Sequence, residues 1–176
     1  MIYRFRIMLD VEEDVFRDIE IASDSDLEEF HNVIIQSFGF DGHEMASFYT
    51  TNEFWEEEDE ISLFDVGDIP GESRVMSETL IEEIVSEEEP RLLYVYDFMN
   101  MWTFMIELAE IVEREEGRTY PNLMFAQGQV PDAAPDKEFI SEKMEPEDGE
   151  DDFLFDEDFD LDPDDYDNLG FGENWN

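Results

Sequence analysis

Cysteine is absent from this sequence, which excludes disulfides and thiolate metal sites. Cations are nearly as scarce: nine Lys and Arg stand against 52 Asp and Glu, a net charge of −43 over 176 residues. A surface so negative repels nucleic-acid phosphates and anionic lipid and attracts cations and basic proteins, so direct nucleic-acid binding is not expected. No apolar run is long enough to span a bilayer, and the N-terminal MIYRFRIMLD lacks the unbroken apolar stretch of a signal peptide. The expectation is a soluble, cytoplasmic protein without a membrane partner. There is no Gly-x-Ser-x-Gly nucleophile motif and no phosphate-binding glycine loop, and Gly39-Phe40-Asp41-Gly42 lacks the lysine of a P-loop. No cofactor is implied.

What the chain does have is apolar mass. Apolar residues make up 41% and aromatics 14%, with 16 Phe, enough to build a core despite the charge. Residues 2–9 alternate, with Tyr3, Phe5, Ile7 and Leu9 on one face, and Val15 to Ile21 alternate again, so a hairpin is predicted. Ser25 and Glu28 form a capping box for a helix with the stripe Leu27, Phe30, Ile34 and Phe38, stopped at Gly39. Met45 to Thr50 reads as a strand, Phe54 to Glu60 as an exposed loop, and Ile61 to Val66 as a short strand or extended segment. Ser77 caps a short helix through Val85, which Pro90 prevents from continuing. A hairpin follows, its strands carrying Leu92, Tyr94, Tyr96 and Phe98, then Trp102, Phe104, Ile106 and Leu108, with a turn near Met99–Met101. Tyr120 to Val130 reads as irregular but apolar. The fold class is α+β: a single, mostly antiparallel β-sheet with one main helix packed across a face and a second short helix, in the order ββαββαββ.

Composition divides the chain at Pro131. Residues 1–131 hold 33 acids against seven Arg, and residues 132–176 hold 19 acids against Lys137 and Lys143. The second part has too little apolar surface per charge to offset its ordering entropy and is expected to be a disordered acidic tail. It is punctuated by Phe153, Phe155, Phe159, Tyr166, Phe171 and Trp175, residues suited to hydrophobic grooves rimmed by Arg or Lys on a partner. Asp156, Asp158, Asp160 and Asp167 mimic an EF-hand loop, but Leu161 stands where that loop needs glycine and Asp167 replaces its bidentate glutamate. No specific metal site follows; so many carboxylates imply only weak, diffuse divalent-cation binding.

His31 reads as a partly buried helix histidine bonded locally, and His43, in Gly42-His43-Glu44, as a loop residue.

Three blocks carry a family resemblance: Phe30-His31-Asn32-Val33-Ile34-Ile35-Gln36 leading to Phe38-Gly39-Phe40 and on to Phe48; Tyr96-Asp97-Phe98 with Trp102 and Ile106; and Tyr120-Pro121 with Gly128 and Pro131. In these, over roughly residues 2–135, the chain resembles the plasmid pRiA4b ORF-3-like family. The resemblance implies a small α+β domain, found in bacteria and mobile elements without an agreed activity. It also implies histidines where this chain has Glu44, Ala46 and Phe104, and Gly-Asp where it has Met99 and Asn100. Met99, Ala46 and Phe104 are expected to pack there, and Glu44, Asp97, Asn100 and Trp102 are what a residual family site would retain.

Three readings of function follow. The first is a non-catalytic acidic protein that engages a basic partner protein through its anionic surface and tail. The second is an enzyme or metal-binding domain with a site near His43, Glu44, Asp97 and Asn100, in which Asp97 serves as a base; against it, Asp97 is placed to cap the hairpin turn. The third is a soluble accessory protein kept in solution by its charge.

Overall fold

In the computed structural model, residues 1–135 are described, and they belong to a unit running Met1–Lys137. Seven strands form one antiparallel sheet: β1 Ile2–Leu9, β2 Phe16–Ala22, β3 Ala46–Thr51, β4 Glu57–Ser62, β5 Arg91–Tyr96, β6 Trp102–Val112 and β7 Asn122–Gln127. Their order across the sheet is β4-β3-β5-β6-β1-β2-β7. The main helix, α1 (Leu27–Phe38), lies between β2 and β3 in the chain; a 3₁₀ turn, Met76–Glu78, and a single helical turn, α2 (Ile81–Ile84), precede β5.

The alternation in β1 sends Phe5 and Ile7 toward α1, and β5 and β6 add Leu92, Tyr94, Phe104 and Ile106 to the same face. Phe30 of α1 lies 4.8 Å from the Phe5 ring and 5.6 Å from Phe48, and Phe38 meets Phe104 edge-on at 4.8 Å. These rings form the centre of the core. The other face carries Arg4 and Arg6 of β1 beside Asp18 and Glu20 of β2, charged pairs placed directly opposite in the register.

Several expectations change. The strand order gains a member: Tyr120 to Val130, read as irregular, contains β7, because β2 offers an open edge and the segment's backbone pairs with it. The acidic run read as a loop is instead most of β4, whose Glu57, Glu58, Asp59 and Glu60 are all exposed. Only Ile61 and Ser62 of the predicted strand 61–66 belong to it. An edge strand needs few inward anchors, and Ile61 supplies one, fully buried. The α1 cap is Asp26, not Ser25: its carboxylate accepts the Glu29 N–H at 2.8 Å. Gly39 ends the helix at φ 82°, donating to Ile35 and Gln36. The second helix shrinks to a 3₁₀ turn and one α turn; Glu83, whose carboxylate accepts the Leu80 N–H, holds its start in place of Ser77. Strand β5 stops at Tyr96, so Phe98 lies in the turn and is 41% exposed.

Among the described residues, no helix is long and apolar enough to cross a membrane.

Candidate functional site

The sheet register gathers the family blocks at one end. Ala46 pairs with Tyr96 and Tyr96 with Trp102, while Asp10 donates to the Thr103 carbonyl. The C-terminal end of α1 comes to the same place. Phe40, just past Gly39, packs its ring against Tyr96 (5.0 Å), Trp102 (5.4 Å) and Phe104 (6.0 Å). Gly128 also lies here, at φ 73°, so close to the Asp14 carbonyl that a Cβ would clash with it. Arg17 ties the region together. Buried, it donates to the carbonyls of Ser37, Phe16 and Gln127 at 2.8 Å each and of Gly128 at 3.2 Å, and stacks over Phe38. Burial lowers its pKa, and the helix-end carbonyl is a favourable place for its charge.

Of the residual-site residues, Asp97 and Asn100 come together. Asp97 has φ 60° and is 8% exposed. Its Oδ1 accepts the N–H groups of Met99 (3.0 Å) and Asn100 (3.4 Å), and its Oδ2 accepts the Asn100 side-chain amide at 2.5 Å. The carboxylate is thus occupied by the turn it caps. Trp102 belongs to the Phe40 ring cluster. Glu44 is exposed and reaches the cluster through its backbone, donating to the Tyr96 hydroxyl at 3.4 Å. That hydroxyl donates to Asp41 at 2.9 Å and accepts from Gly42 at 3.0 Å. Asp41 lies 3.5 Å from His43, and the Asp41 pKa is lowered, chiefly by the His43 N–H and the Tyr96 hydroxyl. Ala46 and Phe104, two of the three apolar replacements, are fully buried as expected. Met99 is not: it is 91% exposed in the turn.

His31 is fully enclosed, not partly, and its partner is distant in sequence: Nδ1 lies 2.7 Å from the Tyr94 hydroxyl. Burial holds its pKa down to about 4. Among the described residues, no group of three or more His, Asp or Glu side chains is arranged to hold a metal ion. The aromatic tail residues Phe153, Phe155, Phe159, Tyr166, Phe171 and Trp175, and the aspartates that mimic an EF-hand, lie outside the described residues.

A second feature escaped the sequence reading. At the opposite end of β3 and β5, a groove of about 520 Å³ is lined by Glu53, Glu58, Glu87, Glu88 and Glu89, with Thr51, Asn52, Pro90 and Arg91. Its acids come from three separated segments. The pairing Thr50↔Leu92 and the Thr51 hydroxyl bonding to the Arg91 carbonyl bring them together. Arg91 is the cation within it, and it is engaged with the Glu53 carbonyl and the Trp55 ring. On β3, opposite Glu60, Tyr49 has its pKa pushed up to about 12, by burial and then by the charges of Glu60 and Glu57. The signal in the sequence was two acidic runs, Glu56–Glu60 and Glu87–Glu89; what was missing was the strand pairing that joins them.

An antiparallel sheet with one helix across it, a ring cluster at one end and a carboxylate groove at the other defines a small acidic α+β protein. The chain belongs to the plasmid pRiA4b ORF-3-like protein family, whose model matches residues 1–162. The match extends into the acidic tail, beyond the expected limit near residue 135. A solved protein of unknown function from Methanosarcina mazei Go1, MM3350, shares the fold: TM-score 0.62 and 20% identity, covering 71% of this chain and 68% of that one. No curated protein matches the chain.

Proposed function

We propose that this protein is a non-catalytic acidic interaction protein that engages a basic partner protein. The groove lined by Glu53, Glu58 and Glu87 to Glu89 carries this reading, since five carboxylates around a concave surface make a receptor for Lys and Arg side chains. The use of the arginines supports it. Arg4, Arg6 and Arg118 pair with carboxylates of the domain, Arg17 with carbonyls, and Arg91 and Arg114 stack on Trp55 and Tyr120. Arg74 lines an adjoining groove with Glu58, Asp59, Glu83 and Glu89, so the acids of this region still outnumber the cations beside them. The same field disfavours nucleic acid and anionic membrane as direct partners. At the other end of the sheet, the Asp97 carboxylate is taken up by backbone and Asn100 donors, which leaves it little capacity to act as a base.

The test is affinity capture by the full chain across a salt series, comparing two variants that remove equal charge. Glu87→Gln with Glu88→Gln and Glu89→Gln alters the groove; Asp68→Asn with Glu72→Gln and Glu78→Gln alters exposed acids elsewhere. Basic proteins retained at low salt should be lost selectively from the first variant. Equal retention by both, or no retention at low salt, would remove the proposal.

A further inference from the structure

The two edges of the sheet differ in chemistry. Strand β4 closes one edge with Glu57, Glu58, Asp59 and Glu60, all exposed, a familiar defence against unwanted strand pairing. Strand β7, at the other edge, has no charge at all. It lies within Thr119–Pro131, the longest uncharged stretch in a chain of which 35% is charged. That stretch is not hidden in the core: Leu123, Met124 and Phe125 are 46%, 43% and 51% exposed. Strand β7 pairs with β2 on one side and, among the described residues, ends the sheet on the other. Its register slips between Asp18 and Ile19, where Met124 turns toward a groove of about 460 Å³ on the face away from α1. Phe125 leans on Phe16 at 5.8 Å, so its ring is held in place and presented outward.

We infer that β7 is a strand-addition edge that takes an extended, alternately apolar segment of a basic partner. The backbone edge supplies the hydrogen bonds, and Leu123, Met124 and Phe125 supply apolar contact. Charge selects the occupant. At the Gln127 end of the strand stand Glu13, Asp14 and Asp132, while Arg17 is buried on carbonyls and Arg6 lies over Phe16 and pairs with Asp18. At the Asn122 end, Arg118 is engaged with Glu20 and Glu115. The complementary segment is therefore apolar in its middle and carries Lys or Arg at the end that meets Gln127. A second copy of this chain fits poorly, because it brings −43 toward −43. The inference rests on the basic-partner reading but places contact on a different edge from the carboxylate groove.

Amide hydrogen exchange of the full chain tests it with three short synthetic peptides. One alternates Val and Thr and ends in a Lys pair; the second replaces the Lys pair with Glu; the third keeps Lys but has a central Pro pair. The first peptide, at low salt, should slow exchange across Asn122–Gln127 by about tenfold when about nine-tenths of the protein is bound. The other two should not, and Leu123→Lys with Phe125→Lys should abolish the slowing. Both substituted side chains are exposed, and an unchanged melting curve would confirm the fold. Slowing at the Glu87–Glu89 groove without slowing at β7 overturns the edge and leaves the basic-partner reading standing. Equal slowing by the Glu-ended peptide overturns the cationic occupant. Slowing that grows with protein concentration and no peptide assigns the edge to a second copy, which also overturns the proposal.

Discussion

His31 shares a hydrogen bond with Tyr94 in the interior, and this pair makes acid a specific threat to the core. Protonating the ring would put a charge in a desolvated interior, so burial depresses its pKa to about 4 from an ordinary 6.5. The sign follows from linkage: between those values the unfolded chain binds a proton that the folded chain refuses. Stability is intact above about pH 6.5, declines as pH falls, and has lost roughly 3 kcal/mol from this group near pH 4. Chemical denaturation of wild type and His31→Gln at several pH values should show that difference shrinking toward acid; a constant difference would contradict it. Glu20 is a different kind of buried charge. Its side chain is fully buried, with Arg118 at 2.6 Å, Asn122 at 3.1 Å and Arg4 at 3.2 Å. Both arginines keep access to water, so Glu20→Ala should cost about 2 kcal/mol, less than the 3–5 typical when a fully buried pair is broken. Urea midpoints would measure it, and a loss below about 0.5 kcal/mol would mean that the arginines find other partners at no cost.

At the scale of elements, the turn between β5 and β6 rests on one side chain. Asp97 combines a left-handed backbone with three accepted hydrogen bonds, a pairing that Asp and Asn tolerate better than other residues with a side chain. Asp97→Asn should be nearly neutral, whereas Asp97→Ala should lose about 1–2 kcal/mol through the lost cap and the strained φ. Melting curves of the two variants separate this capping role from a catalytic one, which stability would not register. That Asp97 caps a turn was legible in the sequence, as were α1, its glycine stop and the β1, β5 and β6 alternation, because local periodicity and capping chemistry determine them. Strand β7 was not legible: Asn122–Gln127 has no alternation of apolar and polar residues, since both its faces are exposed, and only pairing with β2 makes it a strand. The four carboxylates of β4 concealed that strand for a related reason, as an edge strand facing water needs no apolar side at those positions. Met99 was misjudged because its apolar character, at a position where the family carries glycine, suggests packing, while the turn that Asp97 caps leaves it in solvent. The carboxylate groove was legible only as two separate acidic runs.

For the whole molecule, the decisive quantity is a net charge of −43 carried on 176 residues, with the nearby cations of residues 1–131 limited to seven arginines. Most of these arginines make local pairs inside the domain, so they strengthen particular contacts without cancelling the field between distant acids. Glu53, Glu58 and Glu87 to Glu89 crowd one groove, and Glu57 to Glu60 follow one another along an exposed edge. Folding brings such groups nearer than they are in an expanded chain, and this repulsion opposes the burial of the Phe5, Phe30, Phe48 and Phe104 core. Salt acts on the two contributions unequally. At about 0.01 M the Debye length is about 30 Å, comparable to the breadth of the sheet, and at about 0.15 M it falls to about 8 Å. Long-range repulsion is then screened while the close Arg6–Asp18 contact at 2.8 Å is weakened far less. The melting temperature should therefore rise by several degrees over that range, since about 1 kcal/mol corresponds to about 2–8 °C for domains of this size. The same gain should follow sodium chloride and potassium chloride alike, because screening depends on ionic strength and not on a particular ion. A melting temperature flat across the series would mean that the acids are spaced widely enough not to oppose folding. A rise with calcium alone would assign the effect to a specific binding site.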